Sequence, residues 1–347
     1  MALAPYTSRE AVMDALDVKA SAYTSAQIDR AIDSGAEGVD SLCNRSFLPI
    51  LTTKSFQYPD VAQDEAWTLW LDASTLVSLT TLVSGGVTIP ASGYYLEPNE
   101  YGPPFDRIEI NRGSSYGFSG GSGGPQRATV ATGLFGYTNE ETSAGVLAAS
   151  IVSSSVTTMT ASKPIGVGHV LRVDSERLIV TEKSFIDSTQ TVLTPLTANL
   201  NNQVLAVTDG TQFQLRESLL IDAERVLVTD IAGNNLIIKR AQQGTTLAAH
   251  TASAIHWGRL LTVTRGALGT TAAAHSSSAA VVRWKPPALV EQLNIAYALD
   301  RGLQESSGYS RTVGSGDNVR NASGRGIREL ESMVLAAHGR MARMRAV

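Results

Sequence analysis

Apolar residues recur at helical spacing over the first fifty positions and switch to strand-like alternation after Pro49. Thr7 with Glu10, and Thr24 with Gln27, fit the capping box, in which a hydroxyl and a side chain three residues later satisfy the free amides of a helix start. They predict a helix over Ser8–Leu16 and a second over Ser25–Asn44. In the second, Ile28, Ala31, Ile32, Gly35, Ala36, Val39, Leu42 and Cys43 form one face, while Asp29, Asp33, Glu37 and Asp40 fall towards others. Short strands are predicted at Leu51–Tyr58, Trp67–Leu71, Leu76–Val83, Val87–Ile89, Tyr94–Glu97, Arg107–Asn111 and Arg127–Leu134. The Gly/Ser tract 113–124 between the last two reads as a flexible loop.

The middle of the chain repeats itself. Val173-Asp-Ser-Glu-Arg-Leu-Ile-Val-Thr-Glu182 aligns with Ile221-Asp-Ala-Glu-Arg-Val-Leu-Val-Thr-Asp230, a shift of 48. Arg240-Ala-Gln-Gln-Gly-Thr-Thr-Leu-Ala-Ala-His250 aligns with Arg265-Gly-Ala-Leu-Gly-Thr-Thr-Ala-Ala-Ala-His275, a shift of only 25. Unequal shifts exclude a simple tandem array and fit nesting. An outer β module, about 156–186 plus 260–284, is then interrupted by an inner one, about 191–257. Helix returns after Pro286 and Pro287, with Leu289, Val290, Leu293, Ala296, Tyr297 and Leu303 as its apolar stripe. A Gly/Ser/Asn-rich connector, Ser306–Gly326, leads to a last helix over Ile327–Met344.

Composition narrows the class. The chain has 347 residues, 43% hydrophobic and 17% charged, which fits a folded protein rather than a disordered or fibrous one. A net charge of −4 gives no support to a protein that coats nucleic acid. Its single cysteine excludes an intramolecular disulfide framework, and no apolar run or leader pattern predicts a membrane span or export. Charge is uneven: residues 1–137 hold 8 basic and 15 acidic side chains, 138–284 are balanced, and 285–347 hold 9 and 6. An acidic front and a basic tail can attract one another within a subunit or between neighbours.

Local motifs for catalysis are missing. No metal-binding pair, phosphate loop, dinucleotide motif or calcium loop is spelled out, so no catalytic residue, cofactor or metal is expected and the chain does not read as an enzyme. Gly120-Gly-Ser-Gly-Gly124 matches a nucleophile elbow only in spelling, because no strand-to-helix context surrounds it. His250 and His275 occupy equivalent repeat positions, which points to a shared structural role. The duplicated sets Asp174/Glu176/Arg177 and Asp222/Glu224/Arg225 read as hairpin-stabilising ion pairs rather than paired catalytic carboxylates.

Several of these stretches together resemble one family. The N-terminal helix pair with Ala31-Ile-Asp-x-x-x-Glu37-x-x-Asp40-x-x-Cys43-Asn-Arg-x-Phe47, then Thr53–Tyr58, Trp67–Asp72, Tyr94–Glu97 and the strand Ala128–Tyr137, are similar to the head–tail connector (adaptor) proteins of tailed bacteriophages. The resemblance covers 1–137 and 285–347. It implies an α+β fold: a helical connector core of N-terminal helix pair, short strands and C-terminal helices, with a large inserted all-β region, 138–284, of two nested, repeat-related modules. It further implies a structural virion protein of the head–tail neck, present in the host cytoplasm during assembly. Such a protein forms a homo-oligomeric ring, commonly of twelve subunits, between the portal and the stopper or tail proteins, and double-stranded DNA passes through without specific binding. The portal-docking candidates are then Arg328, Leu330, Val334, Leu335, Arg340, Met341, Arg343 and Arg345. Asp29, Asp33, Glu37 and Asp40 become channel or subunit-seam candidates. The competing reading is a β-rich neck or tail appendage that recognises host-surface carbohydrate.

Overall fold

The computed structural model describes residues 4–16, 23–57, 66–72, 74–306, 312–313, 320–321 and 325–341. The elements run in the order α1 (Arg9–Leu16), α2 (Ser25–Cys43), β1 (Ile50–Phe56), β2 (Thr68–Trp70), β3 (Leu76–Ser84), β4 (Val87–Ile89), β5 (Tyr94–Glu97), β6 (Arg107–Ile110) and β7 (Thr129–Phe135). The inserted region supplies β8 (Glu141–Val146), β9 (Thr158–Thr160), β10 (Val170–Val173), β11 (Glu176–Thr191), β12 (Val204–Ala206), β13 (Ser218–Ile221), β14 (Glu224–Ala232), β15 (Asn235–Lys239), β16 (Ala254–Thr264) and β17 (Ala280–Trp284). The chain then forms α3 (Ala288–Ser306), β18 (Thr312–Val313), β19 (Arg320–Asn321) and α4 (Arg325–His338). It is a mixed α+β protein with a large antiparallel β region.

Capping decides where the first helices start. Thr24 closes a full box: its hydroxyl accepts from the Gln27 amide at 3.3 Å, and Gln27 Oε1 accepts from the Thr24 amide at 2.9 Å. At α1 the expected Thr7/Glu10 box does not form. Ser8 Oγ accepts from the Ala11 amide instead, because Glu10 is drawn away to the Val167 amide at 2.9 Å and to Lys183. α2 lies along α3, with Ile28, Ala31 and Ile32 buried together with Val12 of α1 and Ala298 of α3. Gly35 permits the close approach, since a Cβ there would sit 2.6 Å from Asn294 Nδ2. Asn294 is fully buried and joins three segments, donating to the Ile32 carbonyl at 3.0 Å and accepting from the Tyr6 amide at 3.0 Å.

Two small sheets follow the helix pair. One has the order β1-β7-β3-β4 and the other β2-β6-β5, and they bury Phe56, Leu71, Leu76, Leu82, Ile108 and Phe135 between them. The Gly/Ser tract is anchored to this core. Phe118 is buried, the Ser119 amide donates to Ser84 Oγ at 2.9 Å, and Gly121 abuts Gly85 so closely that neither tolerates a Cβ.

The inserted β region forms one ladder, β12-β15-β14-β13-β16-β11-β10-β17-β8, with β9 on β16. The long strands β11 and β16 are the shared spine: their near halves enclose an outer cluster around Leu147, Leu171, Leu178 and Leu261, their far halves an inner cluster around Leu205, Phe213, Leu219 and Val226. The insertion enters and leaves at neighbouring points, since β8 pairs with β17 (Glu141↔Trp284) and the Lys285 amide donates to the Glu140 carbonyl at 2.8 Å.

The outer module shares a core with the helices. Val170, Ala267, Leu268 and Trp284 are buried in one cluster with Ala36, Val39, Cys43, Phe47, Val290, Leu293 and Val334. Charged contacts reinforce this seam: Arg9 binds Asp29 at 2.6 Å and Glu182 at 3.1 Å, and Asp14 reaches the inner module at Arg216, 2.6 Å away.

Candidate functional site

α4 carries four of the eight portal-docking candidates, and the structure divides them by face. Val334 is fully buried in the shared core, and Leu330 and Leu335 pack against it with Ile327. Glu331 accepts from Tyr297 Oη at 2.8 Å, and His338 Nδ1 meets Tyr137 Oη at 2.9 Å. The expected helix to Met344 stops at His338, because Gly339 adopts a left-handed φ of 67°. Met341 is pinned rather than free, its amide donating to the Cys43 carbonyl at 2.9 Å and its carbonyl accepting from Asn44 Nδ2 at 3.0 Å. The apolar stripe therefore serves the subunit's own core. Arg328 and Arg340 are exposed, and Arg343 and Arg345 lie outside the described residues. Most of the Ser306–Gly326 connector also lies outside them, apart from the short β18–β19 pair.

The four acidic candidates on α2 also separate. Asp29 is tied to Arg9, and Asp40 accepts from Tyr6 Oη. Burial pushes the Asp40 carboxyl up to about 6, with Glu37 adding to the rise and the Tyr6 hydrogen bond opposing it. Asp33 and Glu37 are exposed one turn apart, and the Asp33 carboxyl is raised by partial burial and then by the charges of Asp29 and Glu37. These two are what α2 presents as an acidic surface.

The duplicated residues of the β modules converge on two matching buried clusters. Each begins with a two-residue turn whose first residue, Asp174 or Asp222, is left-handed at φ 51° or 52°. The next residue but one, Glu176 or Glu224, points inward and is fully buried. Glu224 binds Arg240 through two oxygens at 2.7 and 2.8 Å, the amides of Ala241 and Ala248 at 2.9 and 3.0 Å, and His250 Nε2 at 2.9 Å. Glu176 repeats this with Arg265 at 2.7 and 2.8 Å, Gly266 and Ala273 at 2.8 and 2.9 Å, and His275 Nε2 at 2.8 Å. The other ring nitrogens face Asp222 at 2.7 Å and Asp174 at 2.8 Å. Burial opposes ionisation of both glutamates, yet the guanidinium and the surrounding donors outweigh it and hold each at about 2.

These clusters correct one expectation. Glu176 and Glu224 do not pair with Arg177 and Arg225, because adjacent strand residues point to opposite faces. Arg177 turns to Asn139 at 2.8 Å and Arg225 to Gln243 at 2.6 Å. The true partners, Arg240 and Arg265, head the second pair of aligned repeats, which is where the sequence carried the signal. With every glutamate oxygen taken by donors and the glutamate, arginine and histidine side chains buried, the cluster's chemistry is to staple the Gly-Thr-Thr loop to the hairpin.

A cleft of about 440 Å³ opens between α1 and the inner module, lined by Asp14, Arg216, Thr229 and Lys239. Beside it, His169 accepts from the Gly166 amide at 3.0 Å, and burial, then Arg283 and Lys183, press its ring down to about 3. Compared with known proteins, the chain matches no family model, no curated protein and no solved structure.

Proposed function

We propose that this chain is a structural subunit of a head–tail connector of a tailed bacteriophage, forming a ring between the portal and the tail with the β modules as an insertion. The observation that carries the reading is how residues 1–137 and 285–341 meet in one core although a large β region is inserted between them, with the ends of that insertion side by side. Cys43 and Phe47 of the resemblance pattern, with Val39 beside them, meet Val290, Leu293 and Val334 in one cluster. The insertion leaves and rejoins at paired strands. On this reading α2 and α3 form the ring wall, and the exposed Asp33 and Glu37 contribute to an acidic surface that lets DNA slide by, since each basic phosphate contact would release counterions and add grip. Of the arginine candidates in the C-terminal segment, the exposed Arg328 and Arg340 are free to face an acidic portal surface.

The test uses DNA-filled heads of the phage that carries this chain, assembled without it. Adding the purified protein should produce a ring of about twelve copies under the portal in negative-stain class averages, and those heads should then accept tails. The same protein should bind duplex DNA weakly at physiological salt. A folded protein that never joins such heads overturns the proposal.

A further inference from the structure

Among the described residues every exposed aromatic ring lies in one small region. Trp70, Tyr95, Tyr101 and Tyr116, at 37%, 53%, 87% and 38% exposure, belong to the β2-β6-β5 sheet and the loops around it. The inner side of that sheet buries Leu69, Ile108 and Ile110. Cross-strand partners share a face, so the outer side sets Trp70 beside Arg107 beside Glu97, and Tyr95 beside Glu109. Residues 66–116 hold five acidic and two basic side chains.

This surface already holds one guanidinium group. Arg107 lies over the Trp70 ring at 5.3 Å while it pairs with Glu109 at 2.7 Å and Asp106 at 3.2 Å. Ring faces next to carboxylates suit arginine twice over, by cation–π attraction and by charge-assisted hydrogen bonds. Tyr95 with Glu97 two residues on, and Tyr101 with Glu100 next to it, extend the same chemistry outward.

The matching chemistry occurs in this chain. After the pinned Met341 the sequence reads Ala342-Arg343-Met344-Arg345-Ala346-Val347, with no acidic residue, and the exposed Arg340 precedes it. We propose that the outer face of β2-β6-β5 receives residues 342–347 of a second copy of this chain. Arg343 and Arg345 then stack on Tyr95 and Tyr101 and pair with Glu97 and Glu100. The acidic balance of the region argues against nucleic acid, and the guanidinium that Trp70 and Glu109 already hold favours a cationic ligand over a neutral one. A contact between two different patches is head-to-tail, which is the type that closes rings. Its biological setting rests on the connector reading, but the contact itself is tested separately.

The probe is the acetylated peptide of residues 342–347, titrated against the chain ending at Met341. Saturable binding is expected, weakened at least tenfold by Tyr95→Ala/Glu97→Gln and weakened by salt. In sedimentation, the full chain should self-associate more strongly than either the shortened chain or the Tyr95→Ala/Glu97→Gln chain. Mixing those two restores one intact contact, so they should pair at least tenfold more tightly together than either does alone. Peptide binding that ignores the double substitution overturns the proposal. So does peptide binding without pairing on mixing, which would mean that the segment folds back on its own copy. If rings still form on heads with the shortened chain, the connector reading stands and this contact falls; if the contact is present but no head is ever joined, the reverse holds.

Discussion

Replacing Glu176 by alanine is expected to destabilise the protein by about 3–5 kcal/mol, because Arg265 and His275 would be left buried without their carboxylate. The outer module shares its core with α2, α3 and α4, so the loss should spread through the whole chain in denaturant unfolding. Glu224→Ala removes the same bonds, yet its damage should stay within the inner module, where hydrogen exchange would show it. Asp174→Ala and Asp222→Ala are the contrast: their side chains are 64% and 58% exposed, and each should cost under about 1 kcal/mol. Acid should act like the glutamate substitutions. Both glutamates titrate at about 2 against an ordinary 4.5, so their stabilisation is complete above 4.5 and is lost as pH falls towards 2. A shift of that size corresponds to roughly 3 kcal/mol per site. Glutamate variants that unfold with the wild-type midpoint and the wild-type acid limb would contradict this assignment.

Val334→Asp is expected to be nearly as damaging. It would place an unpaired carboxylate at a fully buried position between α4, α2 and α3, a cost of several kcal/mol. Met333→Asp, one residue earlier and 51% exposed, should stay within about 0.5 kcal/mol of wild type. Thermal melts of the pair separate the two roles an apolar stripe can have. If Val334→Asp melts with the wild type, α4 is detached in solution and its stripe is available to a partner; if it melts far below Met333→Asp, the helix is part of the subunit.

Helix and strand positions were legible wherever periodicity and punctuation agreed. The α2 span, capped by Thr24 and closed at the left-handed Asn44, and the strands at Val87–Ile89 and Tyr94–Glu97 fall where the sequence placed them. The end of α4 was misjudged because Arg, Met and Ala continue past Gly339 with good helix propensity, whereas Gly339 turns left-handed and the Met341 amide bonds the Cys43 carbonyl, drawing the chain away. Sequence spacing also could not say which face of α4 is covered, since a stripe for a partner and a stripe for the core have the same period. The buried clusters were half visible: the repeats marked Glu, Arg and His, but their pairing crosses about 90 residues in the outer module and no local pattern reports it. The aromatic surface of β2-β6-β5 gave no signal of exposure, because Trp70 and Tyr95 read as ordinary strand residues.

The nesting of one module inside another also sets a timetable. Glu141 and Trp284 are ladder neighbours separated by about 140 residues of chain, so closing that ladder first would cost loop entropy before any contact rewarded it. The β13–β14 and β14–β15 pairs join residues only a few positions apart and can form early. Once they hold the inner module together, Ile186 and Trp257 are brought adjacent, and the outer module meets a much shorter effective loop. Its completion does the same for the helices on either side. Pulse-labelling during refolding should therefore protect Val226 and Val228 amides before those of Val281, and both before Asn294, as parentheses are closed from the inside outward.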